Sequence, residues 1–133
     1  MRPVDQTILD SNRGNCFTAC IASILELPLN AVPHFVLFGD EWWDAFLAWL
    51  AELGLSASIY PTSDDAYVPP GWTIAGGPSK RFAGRMHACV ALDGIVVHDP
   101  HPSRDGLPEG IAHYIVIHGP NREYEWFNGI GDP

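Results

Sequence analysis

The sequence predicts an α+β domain in which N-terminal helices pack on a small antiparallel sheet. Three features point there. Before residue 54, two stretches carry apolar residues at helical spacing. After residue 55, the pattern changes to short apolar runs bounded by Gly, Pro and Asp. Asp93-Gly94 separates two of these runs, as in a tight β-hairpin.

The elements follow in chain order. Asn12, Arg13, Gly14 and Asn15 form a turn-rich entry, and a helix is expected from residue 15 or 16 to residue 26. Phe17, Cys20, Ile21, Ile24 and Leu25 mark its apolar face, and Pro28 stops it. A Pro-containing connection over 29–38 leads to a second helix over 41–53, with Asp40 as N-cap and Gly54 past its end. The apolar set of that helix is broad, which assigns Trp42, Trp43 and Trp49 to the core. Strands are expected over 55–60, 72–75, 87–92, 95–98 and 111–118, with an edge strand over 124–127. Gly76-Gly77-Pro78-Ser79 is expected to break the second of them.

The 133 residues suffice for one domain with a real core, so residues 1–133 are read as one unit. The net charge of −9 argues against nucleic-acid binding through a basic surface. Every apolar run is too short to span a membrane, and residues 1–6 carry no signal-like segment, so a cytoplasmic location is expected. Three cysteines, two of them on one helix face, read as reduced thiols.

Cys16 stands where the turn becomes a helix. The helix dipole and unpaired N–H groups there favour a thiolate, the nucleophilic form. His87 opens a later strand, and Asp99 closes the next. A thiolate, a base and a group that orients the base are what nucleophilic acyl chemistry needs. The hairpin register decides the third group. If Ala91 pairs with Ile95 around a three-residue loop, His87 faces Asp99. If Leu92 pairs with Ile95 around a two-residue loop, His87 shares a face with His98. The first register is expected, because a carboxylate stabilises an imidazolium better than a second histidine does. For the oxyanion, the Cys16 N–H and the Gln6 side chain are candidates, with Asn12 and Asn15 as alternatives. Asn15 is equally placed to be the helix N-cap.

These residues resemble a papain-like cysteine peptidase. Gly14-Asn15-Cys16 opens a helix, Gln6 lies upstream, His87-Ala88-Cys89-Val90 forms a strand, and Asp99-Pro100 closes the next. Within that superfamily the chain is most similar to the compact bacterial domains that trim double-glycine leader peptides. The likeness covers residues 6–100. It implies a papain-like fold with Cys16 as nucleophile, His87 as base, Asp99 as orienter and Gln6 as oxyanion donor. Gln6 lies further from Cys16 than in those domains. The chain shows no transporter segment, so the leader-peptide substrate does not carry over.

The glycines Gly76 and Gly77, with Ser79, are expected to let a substrate backbone approach the catalytic strand. Lys80, Arg81 and Arg85, three of the seven basic residues, form a cationic rim for a substrate carboxylate or phosphate, or a solvated loop. Arg104 is placed to tie the loop after Asp99 to a carboxylate. Together these readings give a cysteine peptidase or amidase acting on a peptide or other amide, without cofactor or metal. Acyl transfer and deamidation use the same residues. The rival is a non-catalytic binding domain of the same fold, with a structural zinc on Cys16, Cys20, His87 and Cys89. Oligomeric state is left open.

Overall fold

The structure is a computed structural model that describes residues 1–10, 13–62 and 67–119. Its elements are α1 (Cys16–Leu25), α2 (Trp42–Glu52), β1 (Ser56–Pro61), β2 (Trp72–Pro78), β3 (Met86–Leu92), β4 (Ile95–His98) and β5 (His113–His118). The strands form one antiparallel sheet in the order β1-β5-β2-β3-β4. The α+β class expected from the pattern is therefore present. The strand expected over 124–127 lies outside the described residues. No single helix among the described residues is long and apolar enough to cross a membrane.

The core lies between the helices and one face of the sheet. Cys20, Ile21 and Ile24 of α1 and Phe46 and Leu50 of α2 pack against Ile74, Ala88, Val90, Ile115 and Ile117. Burying each large side chain contributes about 1.5–3 kcal/mol, so this packing is what holds the start of α1 against β3. The alternate residues Ala75, Ala91 and Tyr114 form a second small cluster on the other side, with Leu107 and Ile111 over it.

Several boundaries differ from expectation. α1 ends one residue early, because Glu26 takes a left-handed conformation, with φ 57°, and its N–H and that of Leu27 close the helix. Part of the expected connection is helical: Phe35–Glu41 forms 3-10 turns with Gly39 at φ 61° inside, and runs into α2. In α2 itself only Phe46 and Leu50 are buried. The tryptophans are half-buried, because a helix lying on one face of a sheet has only one face to hide. β1 is displaced by one residue, β3 starts one residue earlier, and β5 starts at His113 rather than at residue 111.

Gly76 and Gly77 do not break β2, which runs on through Pro78. Their missing side chains are replaced by neighbours. A Cβ on Gly76 would lie 2.4 Å from Nε2 of His113, and one on Gly77 would lie 2.2 Å from the Gly110 carbonyl oxygen. Glycine here answers close packing rather than a turn.

The hairpin register also departs from expectation. Leu92 pairs with Ile95, and Asp93 and Gly94 both have positive φ, 52° and 85°, as a type I′ turn requires. That two-residue turn alone would put His98 on the face of His87. Further along, however, Ala91 pairs with Val96 while Val90 pairs with His98. Val97 is therefore an extra residue, a β-bulge, and it reverses the alternation. Odd-numbered residues of β3 then share a face with Asp99. The expected pairing of His87 with Asp99 is present, but a bulge in β4 produces it rather than the turn.

Gly77→Ala is expected to lower stability by about 1–3 kcal/mol, because the atom it meets is backbone. Gly76→Ala meets a side chain instead, so its cost should be largely relieved in a His113→Ala background. Urea unfolding of the four variants (the two glycine substitutions, His113→Ala and the double variant) checks both expectations.

Candidate active site

Cys16 is the first residue of α1 and is half-buried, whereas Cys20 and Cys89 are fully buried. The residue before it, Asn15, occupies the N-cap position without making a side-chain cap bond. Its amide is turned instead towards the upstream segment. Asn15 Oδ1 accepts from the N–H groups of Thr7, at 2.9 Å, and Ile8, at 2.8 Å, and Nδ2 donates to Thr7 Oγ1. The first-turn N–H groups of α1 are thus left uncapped by Asn15, beside the sulfur. Gly14 permits this arrangement: a Cβ there would lie 2.8 Å from the Asp10 carbonyl oxygen.

His87 and Asp99 form a buried pair, with Nε2 donating to Oδ1 at 2.6 Å. The same carboxylate accepts the His101 N–H on Oδ1 and the Gly106 N–H on Oδ2. Burial opposes charging of the His87 ring. The bond to Asp99 overrides it, the nearby thiols of Cys16 and Cys89 push the same way, and the pKa rises from 6.5 to about 11. Burial likewise opposes ionisation of Asp99, but His87 and the two N–H donors hold its carboxyl well below the usual range. With Nε2 committed to Asp99, Nδ1 is the ring atom left to exchange a proton with Cys16. His98 is turned away, donating from Nε2 to the Val4 carbonyl at 2.9 Å. The choice between Asp99 and His98 thus falls to Asp99.

A strap of residues 4–8 connects the two halves of this arrangement. The Gln6 N–H donates to the Pro100 carbonyl at 3.0 Å, and the Asn15 N–H donates to the Ile8 carbonyl at 3.2 Å. Arg104 clasps Asp5 through bonds of 2.6 and 2.8 Å, so it ties the loop after Asp99 to a carboxylate as expected. The Gln6 side chain is buried, and its Nε2 donates to the Ile8 carbonyl at 2.9 Å. Nε2 carries a second hydrogen, which keeps an oxyanion role available. Of the alternatives, Asn15 serves as a brace, and Asn12 lies outside the described residues.

Cys16, His87 and Gln6 line one cleft of about 500 Å³. Phe17, Val36, Trp42, Ile74 and Ile115 give it an apolar side. A second cavity, of about 560 Å³, lies behind Asp99, between Asp5, His98 and Arg104, and Cys16 does not line it. Of the expected substrate-binding residues, Gly76, Ser79, Arg81 and Arg85 line the cleft, and Gly77 does not. Gly77 is closed off by Gly110. Gly76 is covered by a histidine ring, so neither glycine leaves an open lane for a substrate backbone. Ser79 Oγ accepts from the N–H groups of Arg81 and Phe82 and so shapes the loop. Within the cationic rim, Arg81 bonds Ser103 and Asp105, and Lys80 lies 3.9 Å from the same Asp105 carboxylate.

The zinc tetrad read from the sequence is not assembled. Cys20 belongs to the hydrophobic core, and burial pushes its thiol well up. The ligand-type atoms that do come together are those of His87, Cys89 and Asp99, within 4.8 Å of one another. Asp99 already accepts three hydrogen bonds there, two on Oδ1 and one on Oδ2. Asp5 and the bracing side chain of Asn15 had no role in the sequence reading. His101 stands edge-on to His87, with ring centroids 6.3 Å apart. Only an Asx-type residue beside a candidate nucleophile hinted at the brace.

Comparison of the chain with protein families, curated proteins and solved structures gave no match.

The buried pair makes a signed prediction for stability against pH. Asp99, held below 3.8, contributes stability above about pH 4 that is lost as pH falls. His87, raised from 6.5 to about 11, contributes stability below 6.5 that is lost as pH rises through the raised value. Unfolding free energy should therefore be flat between those limits and fall on either side. Asp99→Asn should remove about 3 kcal/mol at pH 6 and flatten both limbs, as read by urea unfolding across pH.

Proposed function

We propose that this chain is a cysteine hydrolase of papain-like type that cleaves an amide bond through an acyl-enzyme. The observation that carries the reading is one imidazole with two partners of the right kind. Its Nε2 is 2.6 Å from a buried carboxylate, and the ring lines the same cleft as the thiol of the cysteine that opens α1. With the His87 ring already charged, Cys16 Sγ attacks the carbonyl carbon as a thiolate. The C–N bond of the tetrahedral intermediate then breaks, and His87 hands the proton to the leaving amine. Water, deprotonated by His87, attacks the thioester and releases the acid and the free thiol. Asp99 keeps the ring oriented and stabilises its charged form throughout. The Cys16 N–H and the second Nε2 hydrogen of Gln6 serve the developing oxyanion. An amine in place of water gives acyl transfer, and a side-chain amide as substrate gives deamidation, with the same residues.

The cluster of His87, Cys89 and Asp99 favours a second reading, a non-catalytic domain that holds a divalent metal. Purified protein carrying stoichiometric zinc, lost in Cys89→Ala, would favour it over hydrolysis.

Iodoacetamide should alkylate Cys16 faster than Cys20 or Cys89, with the rate at pH 7 falling at least about ten-fold in His87→Ala. Peptide mapping by mass spectrometry reads the site. Equal reactivity of Cys16 in folded and unfolded protein would sink the hydrolase. Once a substrate is in hand, Gln6→Ala should lower kcat by about 10²–10³ with the fold intact, whereas Cys16→Ala should abolish turnover.

A further inference from the structure

Six histidines occur in the chain, and all six are described. Five have hydrogen-bond partners: His34 with the Arg13 carbonyl, His87 with Asp99, His98 with the Val4 carbonyl, His101 with Ser103 and His118 with Ser58. Among the described residues, His113 has none for its ring. Its place in the sheet is specific. It pairs with Gly76 of β2, which pairs on its other side with Ala88 of β3, the residue after His87. The ring lies over Gly76, with Nε2 and Cε1 within 2.4 and 2.5 Å of where a Cβ would be. It therefore reaches across β2 towards the strand that carries the proposed base. His113, Gly76 and Ala88 all line the cleft of Cys16.

The chemistry of this position is narrow. Burial lowers the His113 pKa, and no charged neighbour contributes to that shift. At neutral pH the ring is uncharged, with one N–H donor and one lone pair to offer. Its neighbours on the same face of β2 and β5 are the apolar Ile74 and Ile115, and Phe17 and Trp42 line the same cleft. A carboxylate entering here would be stripped of water against a neutral ring, and a hydrocarbon would leave both ring nitrogens unmatched. A side chain with an apolar stem and an uncharged tip that both donates and accepts suits the floor, and a carboxamide does so with one group.

We propose that His113 is a specificity-determining residue that hydrogen-bonds the uncharged polar tip of a substrate side chain, of which glutamine is the type, as that side chain enters the cleft beside Cys16. The proposal rests on the reading of Cys16 as the acylated nucleophile. His113 takes no part in the bond-making steps. Glycine at position 76 is then explained by the ring that it accommodates.

Peptidyl acyloxymethyl ketones test this with the full chain. The probes carry glutamine, norleucine or glutamate at the residue bearing the ketone or at the one before it. Second-order labelling of Cys16 is read by intact mass. At one of the two positions the glutamine probe should label about 10–100-fold faster than the norleucine and glutamate probes. His113→Phe should bring the glutamine-to-norleucine ratio close to one while leaving alkylation by iodoacetamide unchanged, and His113→Gln should restore part of the preference. A wild-type protein that does not favour glutamine at either position overturns the role, as does a preference that survives in His113→Phe. Should His113→Phe not fold, the wild-type ratios and His113→Gln still decide. If neither the ketones nor iodoacetamide single out Cys16, the hydrolase reading fails, and the role of His113 falls with it.

Discussion

The arrangement depends on the buried carboxylate of Asp99. Leaving such a group uncompensated inside the protein would cost several kcal/mol, so every polar neighbour must be aimed at it. The imidazole of His87 and the N–H groups of His101 and Gly106 supply that compensation. The consequence runs outward. Satisfying Asp99 orients the His87 ring, curls the loop of residues 100–106, and brings Arg104 to the position from which it grips Asp5. The strap that carries Gln6 is thereby anchored at one end by the same loop that anchors the carboxylate.

At its other end the strap is held by Asn15, whose side chain gives up the usual capping role to bind Thr7 and Ile8. One short segment thus links the start of α1 to the end of β4. The hydrophobic core fixes where α1 lies against β3, to within the precision of side-chain packing. The polar strap fixes where the helix start lies relative to the carboxylate loop. The core supplies stability and the strap supplies alignment, so weakening the strap should disturb the site more than the fold.

Much of this was legible in the residues. The helical spacing from Phe17 onward, the Asp93-Gly94 turn and the order of Cys16, His87 and Asp99 carry the class of fold and the candidate set, because each is a local signal. The route from His87 to Asp99 was not legible. A bulge leaves no local signature when the extra residue is a valine, and Val97 sits in a run where every alternation looks acceptable. Gly76 and Gly77 misled for the opposite reason. Glycines usually punctuate a chain, but these two answer neighbours that are distant in sequence, His113 and Gly110. The cationic loop was visible as charge, yet the pairing of Lys80 and Arg81 with Asp105 is a tertiary fact. The half-exposed tryptophans of α2 follow from the helix having one neighbouring layer rather than two.

The distance along the chain between the sulfur and its partners carries a consequence for biosynthesis. A ribosome delivers Cys16 long before β3 and β4, and domains of this size fold as units once their sheet can close. Until β3 docks and the Val97 irregularity swings Asp99 under the ring, the thiol has neither imidazole nor carboxylate near it. Under the proposed chemistry, a nascent chain passes its most vulnerable moments beside its own exposed amides with the nucleophile idle. Reactivity then arrives together with the compact state that shields those amides.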